Sequence, residues 1–388
     1  MVNIDIKYCK NYFTILVGEQ IYQVNAPEDL IEVVPSNYEL FFLKSKYASS
    51  QINISKIYLP NQKETCGLLF PVTRLDDSED NINPELSDKN KRYFNMYKYA
   101  SYQILLKNFY TNGIINRDLE HISDLYDDLF VLIFDKKYLK NFCIINYLPC
   151  LYKNGFLYYE DFFNDFKLKN PILKKDEKFY NFPHNMHFDK TFSDISNNKF
   201  LKKLYTKDLQ SVNNYLAIFI LMYQVIEMYI SEIQKFMSYD IINSYTKGNI
   251  HFNTFKNDIS RINTEENRIF RIFQNIDTKN FQNLCKQYIN SIFKNLSHDS
   301  NSHEFIYAFR NNIVHNYHSL INTEISEKEV IEIIEEFEII VSELIIKKPL
   351  FIKDQIKEKA YYNYLKYPDN TPEENWFLAI KELQELFR

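Results

Sequence analysis

The chain begins with apolar residues alternating by twos: Val2, Ile4, Ile6 and Tyr8 share one face, the period of a strand with one side buried. The runs YFTILV and IYQV then flank Gly18, which predicts a hairpin, so residues 1–75 are expected to be β-rich. Residues 76–90 (DDSEDNINPELSDKN) are acidic, polar and proline-containing, the composition of an exposed loop. Between 91 and 165, helical runs such as DLEHISDLYDDLFVLIF at 118–134 mix with short aromatic strands. The stretch 168–200 carries Pro171 and Pro183 among many Asn, Asp and Lys residues, and a linker is expected at 176–206.

From Leu201 the period changes to threes and fours. A helix is predicted over 207–237, largely buried, with Asn213, Ala217, Gln224, Glu227, Ser231 and Gln234 forming a mostly polar stripe on it. Two more are predicted over 257–274 and 278–296, the latter with Phe281, Leu284, Cys285, Tyr288, Ile292 and Leu296 on one side. The polar break SHDSNS at 297–302 precedes a fourth helix, capped by Ser300 or Ser302 and burying Ile306, Phe309, Ile313, Tyr317 and Leu320. Ser326 and Glu329 make a capping box for a helix ending near Lys348, where lysines suit the negative end of the helix dipole. Thr371, Pro372 and Glu374 start a last helix through Phe387. The expected fold class is α+β: a mixed, β-rich N-terminal domain over 1–175, the linker at 176–206, an all-α bundle of about five helices over 207–350, and a C-terminal helical extension over 351–388.

Length supports more than one domain, because a single core usually stops growing below 388 residues. With 25% charged and 45% apolar residues the chain is too apolar for disorder. A net charge of -5 gives no global attraction to nucleic acid, so any phosphate contact needs a local patch. The many Tyr and Phe residues accompany an excess of Asn, Lys and Ile, as an AT-rich genome imposes. Only five glycines are present, which excludes the glycine-rich loops that cradle nucleotide phosphates. The five cysteines, at 9, 66, 143, 150 and 285, form no CxxC pair, so no disulfide framework or cysteine zinc site is expected and a cytoplasmic location is. No basic flank leads into an apolar run at the start, so no signal peptide is expected. The most apolar stretch, 215–230, is interrupted by Gln224 and Glu227 and is shorter than the ~20 residues that span a bilayer. It reads as a core helix, and no membrane partner is expected.

Chemistry concentrates in the fourth helix, where Arg310, Asn311, Asn312, His315 and His318 stand among Phe309, Ile313 and Val314. Asn311, His315 and His318 share a stripe, whereas Arg310 lies about 140° around the helix from His315. Arg310 and His315 are therefore expected to meet only by flanking a cleft, with the long arginine side chain curling toward it.

The segment RNNIVH at 310–315 resembles the R-x4-6-H motif of the HEPN superfamily, in its form with a polar residue directly after the arginine. The resemblance covers about 207–350 and implies a four- or five-helix bundle, a homodimer with a composite active site, and metal-independent RNA cleavage leaving a 2′,3′-cyclic phosphate. Neither a cofactor nor a metal is implied. On this reading His315 is the general base, since an imidazole titrates near neutral pH. Arg310 stabilises the charged phosphorane through parallel hydrogen bonds, and Asn311 orients the histidine or holds the phosphate. His318 is a second acid/base or RNA contact. Glu227 resembles in placement an acidic residue that many HEPN proteins carry. HEPN proteins with an added domain are often toxins or abortive-infection effectors of antiviral defence, which implies a trigger or regulatory protein at the N-terminal domain. The alternative is a HEPN-like module without catalysis, serving in dimerisation or partner binding.

Other candidates are weaker. His184 and His187 have no carboxylate or cysteine nearby to complete a metal site, so an exposed loop is expected there. Cys143 and Cys150 lie in an apolar segment and read as small buried hydrophobes.

Overall fold

A computed structural model describes residues 4–9, 12–17, 20–25, 37–46, 54–71, 100–101, 129–158, 183–212, 214–315, 327–348 and 353–385. The chain is mixed α and β and divides into two compact units, Met1–Lys190 with Tyr205–Ser211, and Thr191–Leu204 with Val212–Arg388. The acidic segment 76–90 lies outside the described residues.

In the first unit, β1 (Ile4–Cys9), β2 (Tyr12–Val17) and β3 (Gln20–Asn25) form an antiparallel meander. Val17 pairs with Gln20, the register of the hairpin expected around Gly18. A second sheet has six strands in the order β8-β4-β7-β6-β5-β9. These are β4 (Tyr38–Ser45), β5 (Ser55–Tyr58), β6 (Gly67–Pro71), β7 (Leu129–Asp135), β8 (Phe156–Tyr158) and β9 (Asn185–His187). All neighbours pair antiparallel except β5 and β9.

The helical expectation for 118–134 fails at its C-terminal end. Leu129, Phe130, Val131, Leu132, Ile133 and Phe134 are buried one after another in a strand, because β7 is a central strand covered on both faces. A short continuous apolar run carries no period that separates such a strand from a buried helix. Gly67 fits beside β7 because it has no side chain: a Cβ there would stand 2.3 Å from the Ile133 carbonyl oxygen.

Part of the expected linker belongs to this sheet. The His184 carbonyl accepts the Lys56 amide at 2.7 Å and the His187 ring stacks on Tyr58; both histidines are exposed, His184 in the expected loop just before the strand and His187 on the edge strand β9 itself. Helix α1 (Leu148–Lys153) carries the buried Cys150, whose sulfur accepts the Asp189 amide; Cys143 is half-buried.

The second unit is helical: α2 (Lys199–Lys203), α3 (Tyr215–Thr246), α4 (Phe252–Ile262), α5 (Glu265–Phe273), α6 (Lys279–Gln287), α7 (Ser302–His315), α8 (Glu327–Lys347), α9 (Lys353–Lys366) and α10 (Pro372–Glu385). Helix α3 starts later than residue 207, at the Asn214 cap whose side chain accepts from the Ala217 amide. It also runs on past 237, stopping at Gly248, which adopts φ +73°. The Gly248 and Asn249 amides return to the Tyr245 and Ser244 carbonyls, closing the last turn in a Schellman motif.

The helix expected over 257–274 is two helices. Thr264 leaves helical geometry, and Glu265 and Glu266 open α5 with acidic residues at its positive end. The helix expected over 278–296 ends at Gln287 and continues as turns that still bury Ile289, Ile292 and Phe293. Helix α7 is capped by Asn301, not by a serine: the Asn301 carbonyl accepts from Glu304 and Phe305, and the Glu304 carboxylate reaches back to the Asn301 amide.

Helix α3 packs against α4, α5 and α8, while α7 lies against α5 and α6. Phe219 of α3 meets Phe309 of α7 edge-on at 4.9 Å and Phe337 of α8 at 4.6 Å. Phe305, Ile306, Phe309 and Ile313 form the buried face of α7; Tyr317, Leu320 and Ser326 lie outside the described residues. The C-terminal extension is a pair of helices, one more than the pattern predicted. Its own small core joins Ile356 and Ala379 to Ala360, Trp376 and Phe377, and α10 starts with the expected reciprocal bonds between Thr371 and Glu374. Phe387 lies outside the described residues.

Candidate active site

The last turn of α7 carries Arg310, Asn311 and His315 on its solvent side, while Phe309 and Ile313 anchor the opposite side in the core. Asn312 ties the same turn to the preceding segment by donating to the Ile292 carbonyl at 3.0 Å. The helix is thus fixed where the polar residues emerge.

The Nη1 of Arg310 lies 3.0 Å from Asn311 Oδ1 and 3.2 Å from His315 Nε2. A guanidinium has no acceptor, so in this arrangement it is the donor, and Nε2 presents its lone pair as part of a neutral imidazole protonated on Nδ1. Arginine reach overcomes the angular separation on the helix, and the two side chains converge within one chain.

Two residues from other helices complete the surroundings. The Nε of Arg310 is 3.9 Å from Glu265 Oε1, at the first position of α5. The same oxygen accepts the Tyr223 hydroxyl at 2.6 Å, and the guanidinium carbon lies 5.9 Å from the Tyr223 ring centroid. Burial pushes the Tyr223 phenol well above its ordinary value, and the bond to Glu265 adds to this, so Tyr223 is held as a proton donor. Among the described residues, Nη2 of Arg310 makes no hydrogen bond to protein, which leaves one face of the fork for an anion.

No family model, curated protein or solved structure matches the chain. The functional reading therefore stands on these side chains. Arg310, Asn311 and His315 are brought together. Glu227 lies one turn beyond Tyr223 on α3, exposed, where its charge acts on the Tyr223 phenol; among the described residues no hydrogen bond or ion pair joins it to Arg310 or His315. His318 lies outside the described residues.

Sequence reasoning missed Tyr223 and Glu265. Tyr223 reads as part of the apolar face of α3, and Glu265 as an ordinary acidic residue in a helix's first turn. Only their meeting in space distinguishes them. Among the described residues no group of three or more His, Cys, Asp or Glu side chains is placed to hold a metal ion, and no helix is long and apolar enough to cross a membrane.

Proposed function

We propose that the protein is a metal-independent endoribonuclease of HEPN type, cutting single-stranded RNA with Arg310 and His315. The observation that carries this reading is the 3.2 Å contact between Arg310 Nη1 and His315 Nε2, which places a permanent cation beside a neutral imidazole on the solvent side of α7.

The scissile phosphate binds Arg310, which turns from His315 to a non-bridging oxygen. That turn releases Nε2 to take the proton of the adjacent 2′-hydroxyl. The 2′-oxygen forms its bond to phosphorus and the bond to the 5′-oxygen breaks, leaving a 2′,3′-cyclic phosphate and a 5′-hydroxyl. The guanidinium opposes the charge that builds on the phosphorane. Asn311 holds Arg310 from the other side, and Glu265 with Tyr223 sets the direction from which the guanidinium approaches. A second acid protonates the leaving oxygen, and in a homodimer the other subunit supplies it. The biological setting is a toxin or abortive-infection effector in the cytoplasm, with the N-terminal unit sensing a trigger.

A second reading is favoured by the Arg310–Glu265 contact. An arginine already neutralised by a carboxylate serves equally as a packing link between α5 and α7, in a HEPN-like module that binds partners without cutting. The two separate by incubating single-stranded RNA with purified protein in EDTA. Cleavage by the wild type, lost in His315→Ala and in Arg310→Ala with the fold intact, supports the nuclease. Identical behaviour of all three, with and without candidate triggers, leaves the packing role.

A further inference from the structure

We infer that Phe270, Glu266 and His303 form a subsite for the nucleobase next to the cut, selecting adenine or cytosine over uracil. The inference rests on the ribonuclease reading of Arg310 and His315.

Glu266 and Phe270 are one turn apart on α5 and therefore share a face. Both meet His303 of α7: its Nε2 is 4.0 Å from Glu266 Oε1, and its ring packs edge-to-face with Phe270 at 5.0 Å. His303 is mostly covered, whereas Phe270 keeps 50% of its surface open and the Glu266 side chain 46%. The result is a flat apolar ring, steadied on one side and open on the other, with a carboxylate at its rim.

Position ties this constellation to the candidate active site. His303 precedes Arg310 by seven residues, so the two lie within about 20° of one another on α7 and about 10 Å apart along its axis. Tyr307 stands between them on the same face, half-buried. That distance suits the reach from a scissile phosphate to a neighbouring base. Glu265, beside Glu266, holds Arg310, so consecutive residues of α5 serve both places.

The chemistry selects the occupant. An open aromatic face stacks on any base. A carboxylate repels phosphate and accepts from an exocyclic amino group, N4 of cytosine or N6 of adenine, whereas uracil offers a carbonyl oxygen at that edge.

The test measures fluorescence anisotropy of labelled oligocytidylate and oligouridylate of equal length on the full-length His315→Ala variant, with wild-type cleavage of both RNAs followed in parallel. Oligocytidylate is expected to bind at least about fivefold more tightly. Phe270→Ala weakens both by about 5- to 150-fold, the span of a lost base stack, and Phe270→Tyr restores them. Glu266→Gln, whose amide both donates and accepts, narrows the discrimination to under about threefold. Equal binding of the two RNAs, or Phe270→Ala and Glu266→Gln variants indistinguishable from their parent, overturns the subsite. Discrimination in binding without any wild-type cleavage, with and without candidate triggers, keeps the subsite and removes the ribonuclease reading. Cleavage without discrimination does the reverse.

Discussion

One nitrogen of Arg310, Nη1, faces both Asn311 Oδ1 and His315 Nε2, at 3.0 and 3.2 Å. Its two N–H groups are then used on two acceptors, and each acceptor is fixed in orientation by the other's claim on the same nitrogen. A helix face that would otherwise carry three mobile polar side chains presents a single ordered group.

Arg310→Lys is expected to abolish this arrangement while keeping the charge. An ammonium is a point donor without the planar fork, so it cannot stay on Asn311 while it exchanges His315 for a phosphate oxygen. RNA cleavage should fall by about 100-fold or more, with the circular dichroism spectrum unchanged. A lysine variant that cuts at the wild-type rate would remove Arg310 from the mechanism.

Tyr223→Phe keeps the buried ring and deletes only the hydroxyl that donates to Glu265. Bonds to charged groups contribute about 1.5–3 kcal/mol, and a loss toward the lower end is expected in urea denaturation because Glu265 remains partly solvated. Cleavage should fall further than stability explains, since Glu265 then swings free of its set position against Arg310. Unchanged activity would confine Tyr223 to packing.

Alkaline pH should weaken the helical unit. The bond from the Tyr288 hydroxyl to Glu332 pushes its phenol up to about 12, with burial adding to this, and Tyr223 is raised mainly by burial. Both phenols are protonated in folded and unfolded chains below about pH 10, so their contribution is fully present there. Above it the unfolded chain releases protons that the folded chain keeps, and stability falls as pH rises, through about pH 12 for Tyr288. Urea midpoints measured across this window should drop less steeply in Tyr288→Phe. A slope equal to that of the wild type would count against the Glu332 bond.

Two glycines should respond differently to alanine. At Gly248, with φ +73°, a Cβ meets nothing within 4 Å, so the cost is backbone strain alone, about 1–2 kcal/mol. At Gly67 the Cβ would press on the Ile133 carbonyl and the Phe134 ring, and a shift of β7 should cost about 3 kcal/mol or more. Urea denaturation of the two variants gives the order. A Gly67→Ala variant no less stable than Gly248→Ala would show that β7 yields easily.

Much of the helical half was legible in local pattern. The apolar period marked the cores of α3 and α7, the lysines near 348 the end of α8, the Thr371–Glu374 box marked α10, and Arg310, Asn311 and His315 stood out as polar residues on an apolar helix. These signals survive because each depends on neighbours within a turn or two. Boundaries were less legible. Asn214, Thr264 and Asn301 act through the geometry their side chains and carbonyls adopt, and similar residues occur nearby without that role.

By itself, then, the sequence determined the change from strand to helix periodicity, the apolar faces of the long helices and the helix that carries Arg310 and His315. Tertiary structure alone decided that 129–135 is a central strand, that 185–187 closes a sheet edge, and that Tyr223 and Glu265 meet at Arg310. The reason is range. Periodicity and capping are written in residues close along the chain, whereas pairing of distant strands and the convergence of α3, α5 and α7 depend on which buried surfaces find one another when the chain folds.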